Sequence, residues 1–384
     1  MFDIIVIGCG FAGAVAARKF AEEKNKKVLL LEKRSHIAGN MYEDMDINGI
    51  YVHRYGPHIF HTNLDYVFEY LKRFSDWFSY EHRVLGRIDG QLVPIPFNFT
   101  SIEKLFSEEK ADIIKKRLIE IFLDRQVISV MEIMNNSDEI IKELGQYIFE
   151  KVFINYTAKQ WGIPIEQVDG SVISRVPVVL GYDDRYFQDK IQVMPKYGYT
   201  KLFEKILNHP NITIKLNCNA AKKIKIIDKN VYFDGEIYRK PIIYTGAVDD
   251  LLNYKYGELP YRSLDLVFER YDVTNFQPCA VVNYPNEEDY TRITEFKYLT
   301  GQVVNGKTTI LKEYPLHYNI MAEKGNIPYY PIINERNLKR YEMYKADIER
   351  TGNIFLCGRL AEYKYYNMDA VVDRAIKIAE EVDV

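Results

Sequence analysis

The sequence predicts an α/β fold in which a Rossmann-like nucleotide-binding domain is interrupted by a helical insertion and an antiparallel β-sheet domain. Three observations carry this reading. A glycine-rich turn, Gly8 to Gly13, stands between an apolar β-branched run and a helical stretch. Between residues 77 and 155 apolar residues recur at helical spacing. From Leu264 to Tyr314 short runs alternate between apolar and polar residues.

The elements follow in chain order. Ile4 to Ile7 reads as a buried parallel strand, Ala14 to about Lys24 as a helix, and Val28 to Leu31 as a second buried strand ending at Glu32. Together they make one βαβ unit. In the helical insertion Thr100 and Glu103 have capping-box spacing. Ile114, Leu118, Ile121 and Phe122, and later Ile140, Ile141, Leu144, Ile148, Phe149 and Val152, supply the apolar faces. Further strands of the first sheet are expected at 212–216, 242–245 and 353–357. Antiparallel strands are expected at 264–268, 280–284, 291–296 and 309–314, and a last helix at 368–382. The domain layout is 1–76, 196–250 and 337–384 for the nucleotide-binding domain. Residues 77–155 form the helical domain with a following mobile loop, and 156–195 with 251–336 the antiparallel substrate domain.

Composition narrows the function. The 384 residues are 47% hydrophobic and 27% charged, a balance that excludes a disordered chain. A formal charge of −3 argues against a general nucleic-acid binder. No apolar run is long enough to span a bilayer, so no membrane insertion is expected. The start Met1-Phe2-Asp3 has no basic lead-in to a secretory signal. Cys9, Cys218, Cys279 and Cys357 form no C-x-x-C pair, which fits a reducing cytoplasm and excludes the usual zinc spacings, so no metal is expected. Thirty-one tyrosines stand beside 2 tryptophans, an excess suited to packing rings on a sugar or base.

Gly8-x-Gly10-x-x-Gly13 has the full context of a dinucleotide fingerprint: a strand before it, a helix after it, and Glu32 ending the next strand. Gly8 serves the tight turn, Gly10 the close approach of a diphosphate, and Gly13 the packing of helix on strand. The diphosphate belongs at the helix N-terminus and Glu32 on an adenosine ribose. Gly39-Asn40 and a C-terminal strand leading into Gly358-Arg359 favour FAD over NAD, because an extended flavin dinucleotide needs both.

Further segments resemble one family, the bacterial flavoprotein UDP-galactopyranose mutases. They are Gly8 to Ala14, Glu32-Lys33-Arg34 with Gly39-Asn40, Tyr55 to Thr62, Tyr156 to Gly162, Ser174 to Val178 and Asp184 to Phe187. Tyr197 to Leu202, Tyr290 to Glu295, Lys312 to Pro315, Pro328 to Pro331 and Gly358 to Tyr366 continue in the same order. The resemblance implies an isomerase that interconverts UDP-galactopyranose and UDP-galactofuranose without net redox change. Reduced FAD would be the covalent nucleophile, and the product would supply cell-surface polysaccharide. A homodimer is also implied.

The resemblance assigns roles residue by residue. Arg175 and Arg292 match the two diphosphate arginines, whose forked guanidinium groups pair with phosphate oxygens. Tyr156 and Trp161 match the uridine-stacking and mobile-loop region, and Tyr186 a tyrosine on the diphosphate. Tyr330 and Tyr365 match tyrosines near sugar and phosphate, Glu313 a residue near the sugar, and Arg359 one near the flavin. His58 and His61 match the histidines beside the flavin, so Arg175, Arg292, His58 and His61 are the expected catalytic set. The expected cofactor contacts are Gly8, Gly10, Phe11, Ala12, Gly13, Glu32, Lys33, Gly39, Asn40, His58, Ile59, Gly246, Arg359, Met368 and Asp369. Two positions depart from the family pattern: Asn367 stands where many relatives carry Asp, and Ala158 where Glu is frequent. An FAD oxidoreductase of the amine-oxidase type shares the fingerprint but has no need of arginines in Arg-Val-Pro and Thr-Arg-Ile contexts. A sugar-nucleotide sensor that holds FAD only structurally is the non-enzymatic alternative.

Overall fold

The computed structural model describes residues 2–156, 159 and 177–384. Its centre is a five-stranded parallel sheet in the order Ile212–Lys215, Val28–Leu31, Ile4–Ile7, Ile242–Tyr244, Ile354–Leu356. These are the five segments anticipated for it. Ile4–Ile7 and Val28–Leu31 have no polar alternation because both faces are covered, whereas the edge strand Ile212–Lys215 alternates and exposes Thr213 and Lys215. Ile4, Val6, Val28 and Leu30 join one core cluster with the helices Phe11–Glu22 and Met368–Glu381. Ile5, Ile7, Leu29 and Leu31 join another, with Tyr341, Tyr344 and Ile348 of the helix Glu335–Glu349. Ala14, Ala16 and Ala17 are fully buried, and side chains this small let the first helix lie close to its neighbours.

The helical insertion begins later than residue 77. Val84–Ile88 and Gln91–Ile95 form a hairpin first. Asp89 and Gly90, at φ +47° and +79°, make its two-residue turn, which suits the twist of an antiparallel pair. Helices then run over Phe99–Leu105, Glu108–Phe122, Val130–Met134 and Glu139–Ile148, followed by a π-helical turn at Phe149–Ile154. The capping box is not Thr100 with Glu103. Asn98 caps, accepting from Ser101 N–H at 3.1 Å, while Ser101 Oγ accepts from Asn98 N–H at 3.3 Å. Thr100 lies inside the helix, so its hydroxyl has no free first-turn N–H to accept from.

The second large sheet has seven strands in the order Tyr330–Pro331, Tyr261–Tyr271, Thr308–His317, Arg292–Glu295, Val281–Asn283, Val84–Ile88, Gln91–Ile95. It is antiparallel except where Val281–Asn283 runs parallel to Val84–Gly86. The hairpin that precedes the helical insertion therefore belongs to the substrate-side sheet. Among the described residues no helix is long and apolar enough to cross a membrane, and no group of three or more His, Cys, Asp or Glu is arranged to hold a metal.

Candidate active site

Two cavities meet at a seam. The first runs along the C-terminal ends of the parallel strands and is lined by Gly8, Gly10, Phe11, Ala12, Glu32, Lys33, Gly39, Asn40, Gly246 and Gly358. Its shape follows from the glycines. Gly8, at φ +96°, leaves no room for a Cβ, which would lie 2.0 Å from Thr245 Oγ1. A Cβ on Gly13 would lie 1.9 Å from Gly8 O, so the helix sits against the turn. A Cβ on Gly10 would meet only Gly39 Cα, at 3.9 Å, so the protein itself does not forbid it. What needs glycine at Gly10 is space in the cleft, as a bound diphosphate would require. Glu32 is buried and takes N–H donors from Cys9 at 2.8 Å and Arg34 at 2.9 Å, one on each carboxylate oxygen. That aims its remaining lone pairs and keeps them available to a ribose. These residues fit a dinucleotide.

The second cavity opens from the first, and both share His58, Tyr329, Arg359 and Met368. His61, His82, Tyr156, Tyr186, Arg262, Arg292, Glu313, Tyr330 and Tyr365 line it. Register places Arg292 directly opposite Glu313, and Arg292 Nε lies 2.7 Å from Glu313 Oε1. Burial alone would lower the Arg292 pKa, but Glu313, with the tyrosines behind it, holds the group above its usual value. It is a permanent cation. Arg262 differs: it donates to Lys159 O at 3.2 Å, while its Nε and Nη1 are buried with no hydrogen-bond partner among the described residues. Burial pushes its pKa down to about 10. Arg359 lies over the Tyr330 ring at 4.5 Å and the Tyr365 ring at 5.6 Å, and these two rings stack 5.4 Å apart.

His61 is stacked on Phe187 at 3.6 Å, with Nδ1 2.8 Å from Asp189 Oδ2. His58 is held well below the ordinary histidine pKa by burial and by His53 and Arg359. His82 is pushed down to about 3 by burial and by Arg292 and His61. Both therefore face the cavity as neutral rings at pH 7.

Most of the residues expected at the site lie around these cavities, with three differences. Gly13 packs beneath the cleft wall rather than lining it. Ile59 lines the second cavity instead of the first. Asp369 lines neither: its Oδ2 accepts from Thr62 Oγ1 at 2.9 Å and its Oδ1 from Ala370 N–H, so it braces the start of the last helix. Trp161, Arg175 and Ala158 lie outside the described residues, as do residues 165–176 of the mobile loop expected over about 165–195. Arg262 and His82 were not anticipated, although strand parity carries a signal for both. Arg262 shares its parity with Leu264, Leu266 and Phe268, and His82 with Val84, so each is a polar residue on an apolar face.

A model of the UDP-galactopyranose mutase family matches residues 151–365, more than half of the chain. The chain belongs to that family. A NAD(P)-binding Rossmann-like domain model matches residues 6–74 of this mutase-family protein. UDP-galactopyranose mutase of Mycoplasma genitalium is 36% identical over 99% of this chain and 95% of its own. dTDP-fucopyranose mutase of Escherichia coli is 34% identical over 99% and 98%. By contrast, (S)-6-hydroxynicotine oxidase of Paenarthrobacter nicotinovorans matches only 25% of the chain. A solved structure of reduced UDP-galactopyranose mutase superposes with a TM-score of 0.72 over 99% of this chain and 95% of that one, at 18% identity, which speaks for the fold. A mutase-family chain is thus an enzyme whose dinucleotide cleft opens onto a basic, tyrosine-rich cavity.

Proposed function

We propose that this protein interconverts UDP-galactopyranose and UDP-galactofuranose with reduced FAD. The observation that carries the reading is the charge of the second cavity. Among the described residues that line it, three arginines (Arg262, Arg292, Arg359) stand against one carboxylate, Glu313. A surplus of guanidinium groups suits a diphosphate and repels the protonated amine that an amine oxidase must admit. FAD is the dinucleotide proposed because Gly358, Arg359 and Met368 close the same cleft as Gly10 and Glu32 and continue it to the seam.

Bound there and reduced, FAD would supply the nucleophile for the anomeric carbon, so that the sugar ring can open and close through another hydroxyl. The chain's own residues do the rest. Arg292 and Arg262, with Arg175 proposed as a further partner, hold the diphosphate and take up the charge that UDP gains as it leaves. Tyr330 and Tyr365, gripped by Arg359, form a wall at the seam against which a sugar can pack. His58 and His82, both neutral, accept or donate single hydrogen bonds to sugar hydroxyls without adding charge. Tyr156 and Tyr186, which line the same cavity, would bound the nucleotide side.

The test is chromatography of UDP-galactofuranose incubated with dithionite-reduced protein. Conversion to UDP-galactopyranose is expected, with none from the oxidised protein free of reductant. Oxygen consumption with an amine would replace this reading by the oxidase. Heat denaturation should release flavin, and NAD in its place would overturn the cofactor assignment. Because the dTDP-fucopyranose mutase relative is nearly as similar, the assay runs dTDP-fucopyranose in parallel, and exclusive turnover of that sugar would move the substrate assignment.

A further inference from the structure

Beneath the seam lies a second pair of titratable groups that the proposed reaction does not use. Glu43 and His53 face each other across the hairpin Glu43–Met45 and Tyr51–His53, in direct register. His53 Nε2 is 3.1 Å from Glu43 Oε2, an ion-pair distance at an angle off the line of a hydrogen bond, and both side chains are almost wholly buried. The other ring nitrogen of His53 is hydrogen-bonded: Nδ1 accepts the backbone N–H of His58 at 3.2 Å. A ring that accepts at Nδ1 must carry its proton on Nε2, where the Glu43 carboxylate stands.

Glu43 itself is held from three sides. Its backbone N–H donates to Thr200 Oγ1 at 3.0 Å, and its carbonyl accepts from the same hydroxyl at 2.8 Å. Gly198, at φ +82°, presses on the carboxylate so closely that a Cβ there would lie 1.5 Å from Glu43 Oε1. The His53 ring is walled by Tyr199 and Phe296, with centroids at 5.8 and 5.7 Å. The series Glu43, His53, His58 N–H is therefore rigid from the helix Gly198–Leu207 to the residue that lines both cavities.

We propose that Glu43 and His53 are positioning residues that hold the His58 backbone, and with it the His58 ring, at the junction of the cofactor cleft and the substrate cavity. Glu43 selects the His53 tautomer, and His53 anchors the turn Tyr55-Gly56-Pro57-His58. Without the anchor, a turn built on Gly56 at φ +93° gains freedom at its C-terminal end. The role in turnover rests on the mutase reading above, whereas the anchoring itself does not. A misplacement of about 1 Å at such a point can cost on the order of 100-fold in rate.

Three variants and one measurement on the unaltered protein separate the outcomes. In the unaltered protein, ¹⁵N NMR of the His53 ring should show an unprotonated Nδ1 and a protonated Nε2, and the opposite tautomer overturns the proposal. His53→Asn keeps an acceptor near the Nδ1 position, whereas His53→Leu keeps none. Hydrogen exchange at the His58 amide should speed at least tenfold in His53→Leu and stay within threefold of the parent in His53→Asn. Equal exchange in the two variants overturns the proposal. Should His53→Leu fail to fold, Glu43→Gln serves, with a mixed-tautomer NMR spectrum expected and an unchanged spectrum counting against the role of Glu43. In turnover, His53→Leu should lower kcat at least tenfold with KM within twofold, and His53→Asn should restore most of it. A parent that does not turn over rejects the mutase reading. An active parent whose kcat survives His53→Leu rejects this one.

Discussion

Two of the arginines that line the substrate cavity, Arg292 and Arg262, are chemically alike and energetically opposite. Arg292 is paired: removing it strands Glu313, a buried carboxylate, without its partner. Arg292→Ala should therefore destabilise the protein, by about 3 kcal/mol or more. It should also weaken diphosphate binding by a further 1.5–3 kcal/mol or so. Arg292→Lys should recover the charge but not the fork, and so only part of the activity. Among the described residues Arg262 has no carboxylate beside it, and two of its buried nitrogens have no hydrogen-bond partner. Arg262→Met should raise the melting temperature of the ligand-free protein, by about 1 °C for each kcal/mol of desolvation relieved, while weakening UDP binding. Thermal melts with and without UDP check both. Melting shifts of the same sign in the two variants would show that Arg262 carries a partner charge after all. Arg54 pairs with Asp44 at 2.5 Å and lines neither cavity.

At the scale of the element, the glycine turn separates folding from binding. Gly13→Val places carbon against Gly8 O, so the helix Phe11–Glu22 cannot seat on its strand, and both stability and cofactor should be lost. Gly10→Ala meets no protein atom closer than 3.9 Å, so the apoprotein should melt within a few degrees of the parent. Its methyl group nevertheless occupies the approach of the diphosphate, and flavin content after purification should fall severalfold. Absorbance of bound flavin and calorimetry of the apoproteins test the pair. Loss of stability in Gly10→Ala would mean that this glycine serves the fold. The hairpin 84–95 carries a similar lesson. Its Asp89-Gly90 turn is a local signal, but its parallel partner Val281–Asn283 lies nearly 200 residues on, and only the assembled sheet pairs them.

For the whole molecule, the buried titratable groups set how stability depends on pH. The unfolded chain protonates its histidines near 6.5. In the folded chain His82 is held to about 3 and His58 well below its ordinary value. The unfolded state then binds more protons, and stability falls as the pH drops below about 6.5. Asp249 works the other way, because burial raises it to about 6 from 3.8, so the folded chain gains a proton across that interval that the unfolded chain does not. His36 is lowered too, chiefly by burial, so three histidines against one carboxyl leave a net loss. Apoprotein stability should fall from pH 7 to pH 5, by up to about 1.4 kcal/mol per pH unit for each uncompensated proton. His82→Gln should flatten that slope and Asp249→Asn steepen it. Urea titrations at pH 7, 6 and 5 decide, and three parallel slopes would show that neither group is buried as described.

By itself the amino-acid sequence determined the parts that depend on near neighbours. The βαβ unit, the spacing of Gly8, Gly10, Gly13 and Glu32, and the five strands of the parallel sheet are all written in short-range sterics and periodicity. The tyrosines and Arg292 were legible through long motifs that match a family. Tertiary structure decided what the cavity does with them. Strand register sets Arg292 against Glu313 and leaves Arg262 across from Tyr330, with a different surplus of charge than either residue announces alone. The seam gathers His58, Tyr329, Arg359 and Met368, two of them some 300 residues from the first. Glu43, His53 and the N–H of His58 look unrelated along the chain, because a hydrogen bond between a ring nitrogen and a backbone amide leaves no periodicity to read. The register of the hairpin brings Glu43 and His53 together, and closure of that hairpin onto the helix Gly198–Leu207 buries them, which gives a single proton position its consequence.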